Sequence, residues 1–368
     1  MIRLIVSEIL IVCPTPGKRH LREIARKMVV TYPSSFKDVI EGEIVGSGYD
    51  SLTKQLMSKV DNCKRGNTPL ALKRRASNTR EGEAPKTMRL DSYGCVNWLP
   101  DKLPPSETNE SQKRTQEELK NMYADKSNDA RSIEKKMAAT FYTQRKDIIG
   151  GMEVCDLEKE WPYLFETLGM KTHFKELTGV DVKKEAMASK SERVVSYLMS
   201  CEKRSKTETV LAEMKVAKEK HLEANLPGTL LLLLNYFNEE VDQMFHMVDE
   251  TCLPSEVDCT KLPRTPCIIV CGSSPVTAEH FMISVDQIIV NGSITNFSDA
   301  LLLMFGPYYC LNISYPATLG TTLEFLQRCL FKINPDKGSK VERGSRKQAV
   351  NPKVLSMISR IADFEWRE

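Results

Sequence analysis

LPGTLLLLLNYFN, residues 226–238, followed at 265–272 by TPCIIVCG, decides the fold class. The first stretch is a long run without a charge, and its apolar residues keep to no single stripe. A helix that is apolar on every side belongs inside a core, and this one is expected to run from about Gly228 to Thr251. After Pro263 the period changes. TPCIIVCG, FMISV and QIIVN are short apolar or alternating runs bounded by turn residues, with Asp286-Gln287 as a tight hairpin connection, so they are expected to pair as strands. A helix around Phe297 to Phe305, a strand at YYCLNIS (308–314), a helix from Thr318 to Phe331 and a terminal helix from Pro352 to Trp366 complete an α+β unit over residues 226–368.

Working outward, residues 111–225 read as a helical region. Gln112 to Ile149 carries two helical patterns, the second passing through Ile133, Met137, Phe141 and Ile148, and Gly150-Gly151 closes it. EKEWPYLFETLGMKTHFKELTG then packs Trp161, Tyr163, Phe165 and Phe174 into a short space, dense enough to be core. Two charged helices follow, Asp181 to Lys203 and Thr207 to Ala224.

The first 110 residues differ in kind. Residues 1–17 alternate weakly and are rich in Ile, Leu and Val before a Pro-Gly break, which predicts an isolated strand, the remnant of a domain. Residues 18–66 form a small basic helical module. Leu21, Ile24, Ala25, Met28 and Val29 make one apolar stripe, Leu52, Leu56 and Val60 another, and Phe36 to Ile44 is the expected third element of its core. Residues 67–110 are rich in Pro, Ser, Thr, Asn and charge, the composition of a flexible linker, with DSYGCVNWLP (91–100) as an apolar docking segment. The fold class is thus mostly α with a C-terminal α+β unit: a basic helical module, a disordered linker and a helix-rich body ending in a small mixed sheet.

Charge locates the first functional candidates. The chain has a net charge of +3, yet residues 1–90 hold seventeen Lys and Arg against nine Asp and Glu, so attraction to a polyanion belongs to the first quarter. The second helix of the module is preceded by Tyr49 and presents Lys54, Lys59, Lys64 and Arg65, which suits contact with nucleic-acid phosphates because clustered cations displace condensed counterions. An ordinary solvated helix face has the same pattern. LKRRAS offers Lys73, Arg74 and Arg75 as a localisation signal and Ser77 as a phosphorylation site, and a solvated linker run reads the same way.

Two other constellations are weaker. Cys252, Cys259, Cys267 and Cys271, with His246 and His280, suggest zinc, but on a strand Cys267 and Cys271 stand about 13 Å apart, too far to share one tetrahedral ion. No metal and no cofactor is expected. CGSSP, running into TAEHF, places Cys271, Ser273 and Ser274 where an α/β enzyme holds a nucleophile, yet the spacing matches no P-loop, nucleophile elbow or dinucleotide fingerprint. No catalytic residue is expected. Eleven scattered cysteines in a chain of 368 residues read as reduced thiols. The opening carries Glu8 and then Pro14 and Pro16, unlike a signal peptide, and no run reaches the ~20 apolar residues of a membrane span. An intracellular location, nucleus or cytoplasm, is expected, with no membrane partner.

Several strings carry a family resemblance: LREIARKMVVTYPSSF, GSGYDSLTKQLMSKVDNCKR, DSYGCVNWLP, KEWPYLFETLGMKTHFKELTG, LPRTPCIIVCG, SVDQIIVN, YYCLNISYP and TLEFLQRCLFKINP. In their order and density they are similar to the sterile alpha motif domain-containing protein 3-like proteins of fish. The resemblance implies no catalytic residues to carry over. No segment before Lys18 is long enough to be a sterile alpha motif, so oligomerisation through that domain is not expected of this chain. The opening MIRLIVSE resembles the first strand of a ubiquitin-like or PB1-like domain, which would make it the stump of a truncated one.

The leading expectation is a non-enzymatic interaction protein with a protein partner and a basic module that touches nucleic acid. A protein-only scaffold whose positive charge is incidental is the alternative, and an enzyme using the loop after Cys271 a more distant one.

Overall fold

The structure is a computed structural model that describes residues 2–13, 16–40, 43–65, 100, 102–200, 205–220, 222–334, 340 and 350–365. Ser77, Lys73, Arg74, Arg75 and residues 91–99 of the docking segment lie outside the described residues.

The chain opens with a helix, α1 (Ile2–Val12), which corrects the expected isolated strand. Ile2, Ile5, Val6, Ile9 and Leu10 recur at helical spacing and pack with Leu21, Ala25 and Val29 of α2 (Lys18–Thr31) and Leu52, Leu56 and Val60 of α4 (Asp50–Arg65). Strand propensity is a preference for a half-buried pleated surface, and here the only apolar surface on offer is a pair of helices. Between them lie α3 (Pro33–Phe36) and a two-residue hairpin, β1 (Val39–Ile40) with β2 (Glu43–Ile44). The third element of the module's core is therefore α1, with only Phe36 of the expected segment packed against it.

The helical body follows: α5 (Asn109–Ala124), α6 (Ala130–Ala139), α7 (Phe141–Ile149), α8 (Val154–Glu160), a 3-10 turn at Pro162–Phe165, and α9 (Thr167–Thr178). Thr108 caps α5 through a reciprocal pair of bonds with Ser111, and Asp129 caps α6 by accepting from the Ser132 N–H. At Gly169 a Cβ would fall 1.9 Å from the carbonyl oxygen of Tyr163, so only glycine lets α9 lie on the 3-10 turn. Two further helices, α10 (Lys184–Ser200) and α11 (Ser205–Glu219), flank α12 (Asn225–Phe237).

α12 is buried along nearly its whole length, as an all-apolar helix should be. It ends fourteen residues earlier than the expected Thr251, because Asn238 takes the left-handed conformation, φ +58°, and terminates it. The chain then enters a four-stranded mixed sheet of β3 (Phe245–Val248), β4 (Cys267–Cys271), β5 (His280–Val285) and β6 (Ile288–Ile294), in that spatial order. β3 is parallel to β4 and the other pairs are antiparallel. Asp286 and Gln287, at φ +52° and +63°, form the β5–β6 hairpin turn.

Strand alternation gives the sheet two buried faces. Ile268, Val270, Phe281 and Ile283 join the main core under α13 (Phe297–Cys310), while Cys267, Ile269, Cys271 and Met282 meet Leu262 and Cys259 from the loop that follows β3. The strand expected at YYCLNIS does not form. Tyr308, Tyr309 and Cys310 continue α13, since Tyr309 packs on Phe174 and on Phe305, whose ring stacks on Phe331 at 3.9 Å. A helix, α14 (Gly320–Phe325), passes into a π turn at Leu326–Leu330, and α15 (Pro352–Glu365) closes the described chain.

Candidate functional site

α4 has two faces. Leu52, Leu56 and Val60 turn into the module, while Ser51, Lys54, Gln55 and Ser58, also at helical spacing, turn toward α15. α15 answers with Pro352, Leu355, Ser356 and Ser359. Between the two helices, with α1 and the segment around Lys37 as a third wall, lies a cleft of about 880 Å³. Its lining brings Arg3, Lys37, Lys54, Lys59 and Arg360 to one place against one carboxylate, Asp38.

Each charge is held differently. Asp38 accepts a hydrogen bond from the backbone N–H of Ser51 at 2.9 Å, and burial pushes its carboxyl pKa up. Lys54 donates to the carbonyl oxygen of Val350 across the module-to-body contact. Burial lowers its pKa, opposed by the carboxylates of Glu324, Asp50 and Asp38. Behind it Glu324 and Arg328 form a 3.2 Å ion pair whose side chains are fully buried, and Glu324 also accepts from the N–H of Asn351 at 3.0 Å. Arg360 is hydrogen-bonded to Tyr197, with Tyr236 close by, and these raise its pKa further. Arg3 and Lys37 are exposed and Lys59 is half-buried. The module is anchored a second way by Val45, which is 1% exposed and belongs to the main core rather than the module's own. Such a lining holds cations and hydroxyl donors in a concave space: it can bind anions.

The residues singled out from sequence thus separate. Lys54 and Lys59 come together in the cleft, and Lys54 faces the body rather than an outer surface. Lys64 and Arg65 end α4, and their side chains lie outside the described residues. Tyr49 is covered by Arg22, whose guanidinium carbon stands 5.7 Å from the ring centroid. Arg3, Lys37 and Arg360 were not identified from the sequence, because they come from three separate segments, Arg360 more than three hundred positions from the other two, and no spacing relates them.

The cysteine and CGSSP constellations can be placed too. Cys271 is 4% exposed, and burial raises its thiol pKa, as it does that of Cys267, pushed up to about 12. Ser274 donates to Glu213 at 2.6 Å. The strand register sets His280 opposite Cys271, a pairing that no sequence motif revealed. Among the described residues, no three of Cys252, Cys259, Cys267, Cys271, His246 and His280 bring ligand atoms within 4.8 Å of one another; the group that does is Glu153, Cys155 and Asp156 on the surface. No helix among the described residues is long and apolar enough to cross a membrane.

Among protein-family models, residues 112–166 match the helical domain of sterile alpha motif domain-containing protein 3. The match spans α5 to the end of the 3-10 turn and includes none of the cleft residues. No curated protein and no solved structure matches the chain.

Proposed function

We propose, for a chain whose residues 112–166 match the helical domain of sterile alpha motif domain-containing protein 3, a non-enzymatic role in binding another macromolecule. The observation that carries this reading is the cleft, where five cationic side chains face one carboxylate. Electrostatic complementarity of that kind steers and selects an acidic partner. A non-catalytic role is further supported by the buried thiol of Cys271 and the occupied hydroxyl of Ser274. Buried thiols at Cys267 and Cys271, outside any disulfide, go with a reducing, intracellular setting, nucleus or cytoplasm.

Affinity purification from cells tests the reading by comparing the native chain with a Lys37→Glu, Lys59→Glu variant. Specific partners are expected to be recovered with the native chain, to fall away with the variant and to survive nuclease. An identical set of partners with both chains sinks it. A second reading, contact with nucleic acid, draws on Lys59 and on the position of Lys64 and Arg65 in the last turn of α4. It loses Lys54, which faces the cleft and the body rather than an outer surface. Partners that disappear on nuclease treatment, together with duplex DNA binding that weakens steeply with salt, would favour it.

A further inference from the structure

We infer that the cleft between α4 and α15 is a site for a compact ligand carrying several clustered phosphates. This deepens the interaction reading and rests on it. Arg3, Lys37, Lys54, Lys59 and Arg360 converge on one concavity of about 880 Å³, and the carboxylate in its lining, Asp38, is already engaged by the Ser51 N–H. Asp50 also acts on Lys54, and Glu324 behind it is balanced by Arg328, so the local excess is about three positive charges. A phosphate group carries about −1.5 to −2 at neutral pH, so roughly two phosphates neutralise the site and a single one does not.

The rest of the lining agrees. Ser58, Ser356 and Ser359 add exposed hydroxyl donors on both walls, the partners that phosphate oxygens take alongside Lys and Arg. Arg360 is pre-positioned by Tyr197, and an arginine held in place loses less freedom when it forks onto an oxyanion. Lys54 sits half-buried with its charged form disfavoured by lost solvation, a penalty that a bound anion relieves. Shape separates this ligand from a nucleic-acid duplex. A duplex spreads its phosphates along a wide cylinder and is met by a protruding element or an extended surface, whereas here the cationic face of α4 is turned inward against α15. Because the walls belong to the module and to the body, such a ligand would also tie the two together.

The test uses the full chain and titration calorimetry with inorganic tripolyphosphate, orthophosphate and, as an ionic-strength control, sodium chloride. Tripolyphosphate is expected to bind at physiological salt, orthophosphate at least about tenfold more weakly, a difference of about 1.4 kcal/mol. The Arg3→Glu, Lys37→Glu variant changes two exposed side chains and is expected to keep its ligand-free melting temperature while losing about tenfold or more in tripolyphosphate affinity. Lys37→Arg should keep it. Vesicles of phosphatidylcholine containing phosphatidylinositol bisphosphate identify the source: binding to both probes assigns a lipid headgroup, binding to tripolyphosphate alone a free polyphosphate, and either supports the site. No tripolyphosphate binding above the chloride control, or equal binding by the charge-reversed variant, overturns it. Partner recovery that is lost in the Lys37→Glu, Lys59→Glu chain while tripolyphosphate fails to bind would remove this inference and leave the interaction reading standing.

Discussion

His173 shows how far burial sets the chemistry of one residue. It lies on α9 inside the core, where its Nδ1 is 2.7 Å from the side-chain oxygen of Gln144. The amide of Gln144 in turn donates to the Met137 carbonyl and to Thr140, which fixes its oxygen toward the imidazole and makes Nδ1–H the donor. Burial lowers the imidazole pKa well below its ordinary 6.5, and the neighbouring Arg145 cation adds to the shift. The ring is therefore neutral in the folded chain. A depressed pKa contributes stability that is present above 6.5 and is lost as pH falls from there through the folded-state value. The melting temperature of the native chain should drop between pH 7 and 5 more steeply than that of His173→Gln, whatever the variant's absolute stability. Parallel slopes would show that His173 is not the group responsible. Glu166 has the opposite sign: burial raises its pKa despite bonds from Asn291 and Tyr123, so its contribution is present at low pH and lost as pH rises through the folded-state value. Glu166→Gln should gain relative to the native chain on going from pH 4 to pH 7, as read by thermal melts, and a constant difference would contradict this.

At the scale of elements, α1 makes the N-terminal module a three-helix unit with its own core. Leu56, fully buried in that core, should cost about 2–5 kcal/mol when changed to Ala. Hydrogen exchange should then rise across α1, α2 and α4 together while β4 and β5 stay protected, because the sheet belongs to a different cluster. Val6→Asp should do the same, since Val6 is also fully buried there. Unchanged protection in α2 and α4 after Val6→Asp would mean that α1 does not hold them. Some of these elements were legible in the chain. β4, β5, β6 and their hairpin follow from alternation and a two-residue turn, and α12 from a run without charges. α1 and the end of α13 were not: MIRLIVSEILIV and YYCLNIS are rich in residues that suit strands, and only the neighbouring helices and the ring of Phe331 decide otherwise.

For the whole molecule, the module meets the body through Val45 and Lys54. Lys54→Met keeps the length of the side chain but removes the donor to Val350 and the charge that Glu324 feels. Amide exchange at residues 350–354 should rise in this variant, with the Leu56 core intact, and unchanged exchange there would show that Lys54 does not secure the contact. The geometry of the candidate site belongs to this scale. Lys54 and Lys59 were visible as cations on one helix, but their role changed once α15 was found facing them, and Arg3, Lys37 and Arg360 acquired meaning only by meeting them in the cleft.

The sequence by itself determined the class of the fold, the buried status of α12, the strands after Pro263 and the concentration of positive charge in the first quarter. Those properties are local: hydrophobic period, turn residues and charge density are written within a dozen consecutive positions. Only the tertiary structure decided that the opening segment is a helix, that the basic face of α4 looks inward, and that cations from α1, α4 and α15 share one cleft. The reason is physical. Which surface an apolar run covers, and which charges become neighbours, depends on contacts between segments up to some three hundred residues apart, such as Lys54 with Val350.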